Sequence, residues 1–185
     1  MPAAARTTLD EIVTAGRDLL ETGGTGALTM TAVAERVGVR APSLYKRVRD
    51  RDQLLALVAV ATVDDLGDRL AERSWRPDED PRDALVRLAR TVRTFAHERP
   101  RGYGLIFGAL PDGARPDVQS LERSSAPVLE VCAALVGEAQ ALDAARTVTA
   151  WANGFLTMEL TGAFRLGPDL DRAFEYGLEV LARGL

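Results

Sequence analysis

Apolar residues recur at helical spacing along nearly the whole chain, and this pattern limits the fold more than any other feature. In the first such stretch, Leu9, Ile12, Val13, Leu19 and Leu20 fall on one face of a helix. No run of β-branched residues alternates with polar ones at the two-residue period of a strand. The pattern therefore predicts an all-α protein.

Glycine, proline and capping residues divide this pattern into separate helices. The glycines at 23–24 close the first helix, Thr29 is suited to cap a short second helix, and Pro42 is suited to begin a short third one. The remaining predicted helices span 52–74, 81 to Pro100, 103–110, 118–136 with Pro127 either kinking or dividing it, 141–164, and Pro168 onwards.

The second and third helices have the pattern of a helix-turn-helix. Gly38 lies in the short connection between them, where a left-handed backbone favours glycine. Val37, Val39, Leu44 and Val48 can pack these helices onto the first. The residues left on the outer surface are Ala41, Pro42, Ser43, Tyr45, Lys46 and Arg47.

Positive charge is concentrated in this part of an acidic chain. The whole sequence has a formal charge of -4, yet residues 31–51 contain six basic and two acidic side chains. A helix of this size fits the major groove of DNA, and flanking Arg and Lys neutralise phosphates. The combination predicts DNA binding, although basic residues also occupy solvated faces and helix-turn-helix geometry also occurs in proteins that bind no DNA.

The stretches LTMTAVAERVGV and PSLYKRVRDRDQLL resemble the DNA-binding domain of the tetracycline-repressor (TetR) family of transcriptional regulators. Arg47-Val48 stand where the family often has His-Phe. The resemblance implies phosphate contacts for Thr29, Thr31 and Tyr45 and base-edge contacts for Pro42, Ser43 and Lys46. It also implies that Arg40 reaches either target and that Arg51 holds a phosphate.

The second part of the chain resembles a TetR subgroup that carries a Trp-His-Gly motif. The stretches LARTVRTFAHERPRGYGLIFG and WANGFLTMELTGAF carry this likeness, with Asn153 in the middle position of the motif. The resemblance implies a DNA-binding domain over 1–52 and an effector-binding and dimerisation domain over 53–185.

The helix predicted at 141–164 has two apolar faces, of which one suits the core of a single chain and the other needs a second cover. Together with the last helix, it predicts a four-helix bundle in a homodimer. The residues predicted to form the dimer interface are Val148, Ala152, Leu156, Phe174, Leu178 and Leu181.

An effector site is predicted from aromatic and polarizable residues in the second domain, although such a stripe is more often plain core than a ligand site. Few charges interrupt the cluster, so a largely apolar ligand is expected, oriented by Asn153 or Tyr103. The candidate residues are Phe95, Tyr103, Phe107, Trp151, Asn153, Phe155 and Met158.

Signals for catalysis, cofactors and metals are weak. His97 lies off the apolar stripe of its helix and is expected to be solvated, whereas Cys132 falls in register with buried positions. No cofactor, metal or membrane span is expected, and the single cysteine is consistent with the cytoplasm.

The sequence thus predicts a dimeric, ligand-responsive transcriptional regulator, most simply a repressor, that binds a palindromic double-stranded DNA operator. The alternatives are an architectural DNA-binding protein without a ligand and a helical module for protein interactions.

Overall fold

The computed structural model describes residues 7–185, and every regular element among them is helical. The helices are α1 (Leu9–Ala27), α2 (Met30–Arg36), α3 (Ala41–Leu44), α4 (Arg51–Ala71), α5 (Pro81–Glu98), α6 (Pro100–Phe107), α7 (Val118–Val136), α8 (Glu138–Leu160) and α9 (Leu170–Gly184), with a 3₁₀ turn at Asp112–Ala114. The predicted all-α class is confirmed.

Local capping explains several helix boundaries. The Thr29 hydroxyl accepts a hydrogen bond from the Ala32 amide at 3.1 Å, and the Asp80 carboxylate accepts one from the Arg82 amide at 2.9 Å. Both caps satisfy amides that have no partner within their own helix. The Thr29 and Asp80 caps predicted from the sequence are confirmed.

Several boundaries differ from the predicted ones. α1 runs to Ala27, past the glycines at 23–24, although Gly24 interrupts its helical backbone with a φ of 70°. α7 is one continuous helix with Pro127 inside it, so the prediction that Pro127 divides it is wrong. Pro100 both follows α5 and begins α6, three residues before the predicted start at 103. α8 begins at Glu138, because Gly137 has a left-handed φ of 83° that ends α7. It ends at Leu160, before the predicted end at 164.

The chain forms two compact units. The first runs as far as Val63 and also contains Arg101–Asp117, whereas the second contains Asp64–Pro100 and Val118–Leu185. In the first unit, Leu20, Val33, Leu44 and Leu54 are buried together with Leu105 of α6. Side chains of the 101–117 segment therefore share one apolar core with the N-terminal helices.

The second unit has an aromatic cluster between α8 and α9. The Trp151 ring stacks on Phe174 with centroids 5.4 Å apart, and Phe155 meets the edge of Phe174 at 5.2 Å. The space for Trp151 exists because position 177 is glycine: a Cβ there would lie 2.2 Å from Trp151 Cζ2. Phe174 itself is fully buried.

Arginines of α5 join this helix to α8 and α9. The Arg93 guanidinium bonds both oxygens of Glu159, at 3.1 and 2.5 Å, bonds Asp171 at 2.6 Å and covers the Phe174 ring at 4.8 Å. Glu159 is nearly buried, with 7% of its side chain exposed, and its second partner is His97 Nε2 at 3.3 Å. His97 is exposed, as expected, yet it has this carboxylate beside it.

We expect acid to weaken the second unit through Glu159. Burial raises the pKa of this carboxyl group, but hydrogen bonds from Arg93 and His97 outweigh burial and hold its pKa below the ordinary value of 4.5. The stabilisation that the Glu159 carboxylate contributes is therefore complete above pH 4.5. It is lost as the pH falls through the pKa of Glu159 in the folded protein, which lies below 4.5. Thermal melts of Glu159→Gln and the wild type should converge as the pH falls below that range, because both then carry a neutral side chain at 159.

Candidate DNA-binding surface

The helix-turn-helix is held together by the apolar residues that the sequence predicted. Leu44 and Val48 are buried, and Val37 and Val39 pack against the same core. Gly38 has a φ of 73°, the left-handed conformation predicted for the connection between α2 and α3. The position of α3 on the first unit is thereby fixed by side chains that point away from solvent.

The opposite side of α3 and its following turn is exposed and cationic. Pro42, Ser43, Lys46 and Arg47 are exposed, Tyr45 is 55% exposed, and Ala41 is half-buried. Among residues 7–111 and 113–185, Arg40, Lys46 and Arg47 have no carboxylate within ion-pair distance. Their charges are therefore free to meet phosphates, and the Ser43 hydroxyl and Lys46 ammonium can meet base edges.

Thr29 and Thr31, at the start of α2, are also exposed. The Thr29 oxygen already accepts the Ala32 amide, but its hydroxyl hydrogen remains able to donate to a phosphate. One residue can therefore cap α2 and still contact a DNA backbone.

Arg51 is occupied within the protein. Its Nε donates to the Leu28 carbonyl at 2.9 Å, and its Nη2 donates to the Thr25 carbonyl at 2.5 Å. These bonds join the start of α4 to the end of α1 and to the residue that follows it. The guanidinium is exposed and keeps further N–H donors, so the phosphate contact that the resemblance implied stays a prediction.

A capping pair at the start of α4 was missed by sequence reasoning. Asp50 Oδ1 accepts the Gln53 amide at 2.8 Å, and Gln53 Oε1 accepts the Arg49 amide at 2.7 Å. The signal was present, because an acidic residue followed three positions later by Gln before an apolar run is typical of a helix start. This pair fixes the route of the chain from the exposed turn into α4.

Comparisons with known proteins match both parts of the chain. Residues 6–58 match the family model described as bacterial regulatory proteins, tetR family, and residues 85–181 match the tetracyclin repressor-like C-terminal domain. The second match alone covers more than half of the sequence. The chain belongs to the TetR family of helix-turn-helix transcriptional regulators.

Two relatives of this TetR-family regulator match it over most of their own length. An HTH-type transcriptional regulator of Mycobacterium tuberculosis is 29% identical over 184 residues, which cover 98% of this chain and 83% of the relative. The class A tetracycline repressor from transposon 1721 of Escherichia coli is 28% identical, covering 94% and 88%. A TetR variant of Acinetobacter baumannii AYE in complex with minocycline shares the fold, with 24% identity, a TM-score of 0.72 and 96% coverage of each chain.

The predicted effector residues of this TetR-family chain are divided between the two units. Tyr103 and Phe107 belong to the first, with ring centroids 4.8 Å apart. Phe95, Trp151 and the remaining candidates belong to the second. Phe95 is fully buried beneath the Arg69 guanidinium at 5.1 Å, Asn153 is half-buried and Met158 is 43% exposed.

Tyr103 has an unusual environment among these candidates. Its side chain is 1% exposed, and its hydroxyl has no hydrogen-bond partner in the part of the chain that the structure describes. Burial alone raises the pKa of this phenol. An unpartnered buried hydroxyl costs about 1–3 kcal/mol.

Most residues predicted for the dimer interface of this regulator lie in the core of the single chain. Val148, Ala152 and Leu156 on α8 and Phe174 and Leu178 on α9 are buried, and Leu181 is half-buried. Their own chain covers this face, whereas the opposite side of α8 is exposed at Ala150, Gly154 and Met158.

The helices between residues 7 and 185 include none that is long and apolar enough to cross a membrane.

Proposed function

We propose that this TetR-family chain is a dimeric repressor that binds a palindromic operator and is released by a small, largely apolar effector. The observation that carries the proposal is the exposed cationic surface around α3, where Arg40, Lys46 and Arg47 have no ion pair with the side chains that the structure describes. In an acidic protein, such a surface favours a polyanionic partner.

On this surface, Pro42, Ser43 and Lys46 contact base edges in the major groove, because they lie at the start of α3 and in the turn that follows it. Thr29, Thr31 and Tyr45 donate hydrogen bonds to phosphates. Arg40 precedes α3 and Arg47 follows it, and both supply additional positive charge. Arg51 supports this surface from within the protein through its two carbonyl contacts.

The dimer forms through exposed small and apolar residues of α8 and α9. On α8, Ala150, Gly154 and Met158 recur at helical spacing and are exposed. On α9, Ala173 and Val180 are exposed in the same way, and Val180 is 52% exposed. Small residues allow helices to approach closely, and a twofold axis through this face produces a four-helix bundle.

The effector site includes Tyr103, because its buried hydroxyl lacks a partner. The effector therefore carries at least one hydrogen-bonding group in an otherwise apolar body. Phe107 lies beside Tyr103 and provides apolar contact. Trp151, Phe155 and Phe95 support the second unit through their own packing.

The finer assignments are also part of this proposal. The functional division is 1–52 for DNA binding and 53–185 for effector binding and dimerisation. The C-terminal domain belongs to the subgroup with the Trp-His-Gly motif, here with Asn153 in the central position, and the protein acts in the cytoplasm.

We expect the purified protein to shift DNA from upstream of its own coding region and to lose affinity steeply with salt. Each phosphate contact contributes about -0.9 to the slope of log affinity against log salt, so affinity should fall about 10³-fold or more between 50 and 200 mM salt if six or more contacts form. Fluorescence anisotropy at the two salt concentrations measures this, and light scattering gives the oligomeric state.

A release experiment separates the proposal from its alternatives. Minocycline and a set of apolar compounds with one hydroxyl or carbonyl group are added to the protein–DNA complex, and the release of the DNA is measured. An architectural protein would bind DNA and respond to none of them, whereas an interaction module would leave all DNA unshifted. A monomer at micromolar concentration would contradict the assigned α8–α9 face.

A further inference from the structure

We propose that Lys46 is an acylation site, at which an acyl phosphate or an acyl thioester transfers its acyl group and thereby weakens DNA binding. This control rests on the proposed DNA-binding function but requires no effector. It depends on three properties of Lys46, namely its being the single lysine of the chain, the exposure of its amine and its place beside α3.

Lysine occurs once in the sequence. Of the 23 basic side chains, Lys46 is the only lysine and the rest are arginines. An acylated lysine becomes an uncharged amide, whereas an arginine guanidinium stays charged in proteins. The one cysteine thiol, that of Cys132, is buried. An acyl donor can therefore remove positive charge from a single side chain, and that side chain lies on the DNA-binding surface.

The Lys46 amine is open to a reagent. Its side chain is exposed and has no carboxylate within ion-pair distance in the part of the chain whose side chains are described. Acylation therefore breaks no ion pair. Arg40 and Arg47 also lack ion pairs with these side chains, and their charges favour the approach of an anionic donor such as acetyl phosphate.

The backbone around Lys46 does not depend on its side chain. The Arg47 and Val48 amides donate to the Leu44 carbonyl at 2.8 and 2.9 Å. Leu44 and Val48 are buried and hold the turn against the core of the first unit. Acylation of Lys46 therefore changes the charge of the surface while the helix-turn-helix stays folded.

The step is an acyl transfer to nitrogen. The neutral Lys46 amine attacks the carbonyl carbon of the donor, and a C–N bond forms. The bond from this carbon to the phosphate oxygen, or to the thioester sulfur, breaks, and the phosphate or thiolate leaves with the electron pair. The nitrogen releases one proton, and nothing is oxidised or reduced.

The acyl group should weaken DNA binding through both charge and hydrogen bonding. Each phosphate contact contributes about 0.9 to the steepness of the salt dependence, so a dimer acylated on both chains should lose up to about 1.8. The amide also keeps only one of the three N–H donors of the ammonium group, which impairs a contact with a base edge. We therefore expect the affinity for DNA to fall at least about tenfold.

The experiment treats the full-length wild type with acetyl phosphate and, in a separate arm, with acetyl-CoA. Peptide mapping by mass spectrometry locates the acetyl groups and distinguishes Lys46 from the terminal amine of the purified chain. Fluorescence anisotropy then measures the affinity for the upstream DNA fragment at two salt concentrations. We expect acetylation of Lys46 in at least one arm, which identifies the donor, together with the lower affinity and the shallower salt dependence.

Three variants make the result specific. Lys46→Arg accepts no acetyl group at position 46, so its own affinity for DNA should be the same before and after treatment. Lys46→Gln carries an uncharged amide and should show the shallower salt dependence without treatment. Arg165→Lys adds an exposed lysine in the second unit, and bound DNA should slow acetylation of Lys46 severalfold while this added lysine still reacts.

The inference would be overturned if Lys46 stayed unmodified while the lysine added in Arg165→Lys reacted. It would also be overturned if the acetylated wild type kept its affinity, or if treated Lys46→Arg lost as much affinity as the treated wild type. An untreated wild type that binds no DNA is a different result, because it would contradict the proposed function itself.

Discussion

Substituting both Lys46 and Tyr45 by alanine should abolish specific operator binding while the fold and the dimer remain. Both side chains are exposed, and the buried neighbours Leu44 and Val48 that hold α3 in place are unchanged. A good base contact contributes about 1–3 kcal/mol, and a dimer loses each contact twice. We therefore expect the affinity for the operator to fall by at least about 100-fold, since 1.4 kcal/mol is a factor of ten.

Fluorescence anisotropy with operator DNA measures this loss, and circular dichroism and light scattering check the fold and the dimer. Arg165→Ala is a matched control, because it removes an exposed cation from the second unit. If the double variant bound the operator like the control, the DNA-binding surface would have been assigned to the wrong face. A smaller salt slope in the double variant would show that Lys46 contacts phosphate as well as bases.

Phe174→Ala should destabilise the second unit by about 3–5 kcal/mol, the usual cost of truncating a fully buried phenylalanine. Phe174 contacts Trp151 and Phe155 and lies beneath Arg93, so its removal leaves a cavity below a buried ion pair. Chemical denaturation gives the change in the free energy of unfolding.

Val180→Ala, on the same helix, provides the contrast. Val180 is 52% exposed, so its truncation should change the stability of one chain by less than about 0.5 kcal/mol. It should instead weaken the dimer, as measured by sedimentation at decreasing concentration. The reverse result, in which Phe174→Ala separates the dimer into stable monomers and Val180→Ala unfolds the chain, would support the interface predicted from the sequence.

Periodicity and capping were sufficient to predict the helices and the helix-turn-helix. Thr29, Asp80 and Gly38 act locally, through bonds to amides within three residues or through backbone conformation, so a single sequence reveals them. The burial of Leu44 and Val48 and the exposure of Tyr45 follow from the same local pattern. The buried state predicted for Cys132 is confirmed, and burial raises the pKa of its thiol to about 11.

Residues whose role depends on distant parts of the chain could not be predicted in this way. α8 has apolar residues on two sides, but periodicity does not reveal which side its own chain covers, and the side with Val148 and Leu156 proved to be the covered one. The bonds of Arg51 to the carbonyls of Leu28 and Thr25 gave no signal in the sequence, because these partners lie more than 20 residues earlier in the chain. The bonds of Glu21 to the Arg101 and Gly102 amides gave none either, because these partners lie about 80 residues further along the chain.

The close fit between Trp151 and Gly177 means that these two positions cannot vary independently. Any side chain introduced at 177 would enter the volume of the indole ring, since even a Cβ would lie 2.2 Å from Cζ2. A larger residue at 177 becomes tolerable only when the ring at 151 is exchanged for a smaller group. The sizes of these two residues should therefore covary among homologous chains, so that a larger residue at 177 accompanies a smaller one at 151. Such covariation would trace how the contact between α8 and α9 has been kept during evolution.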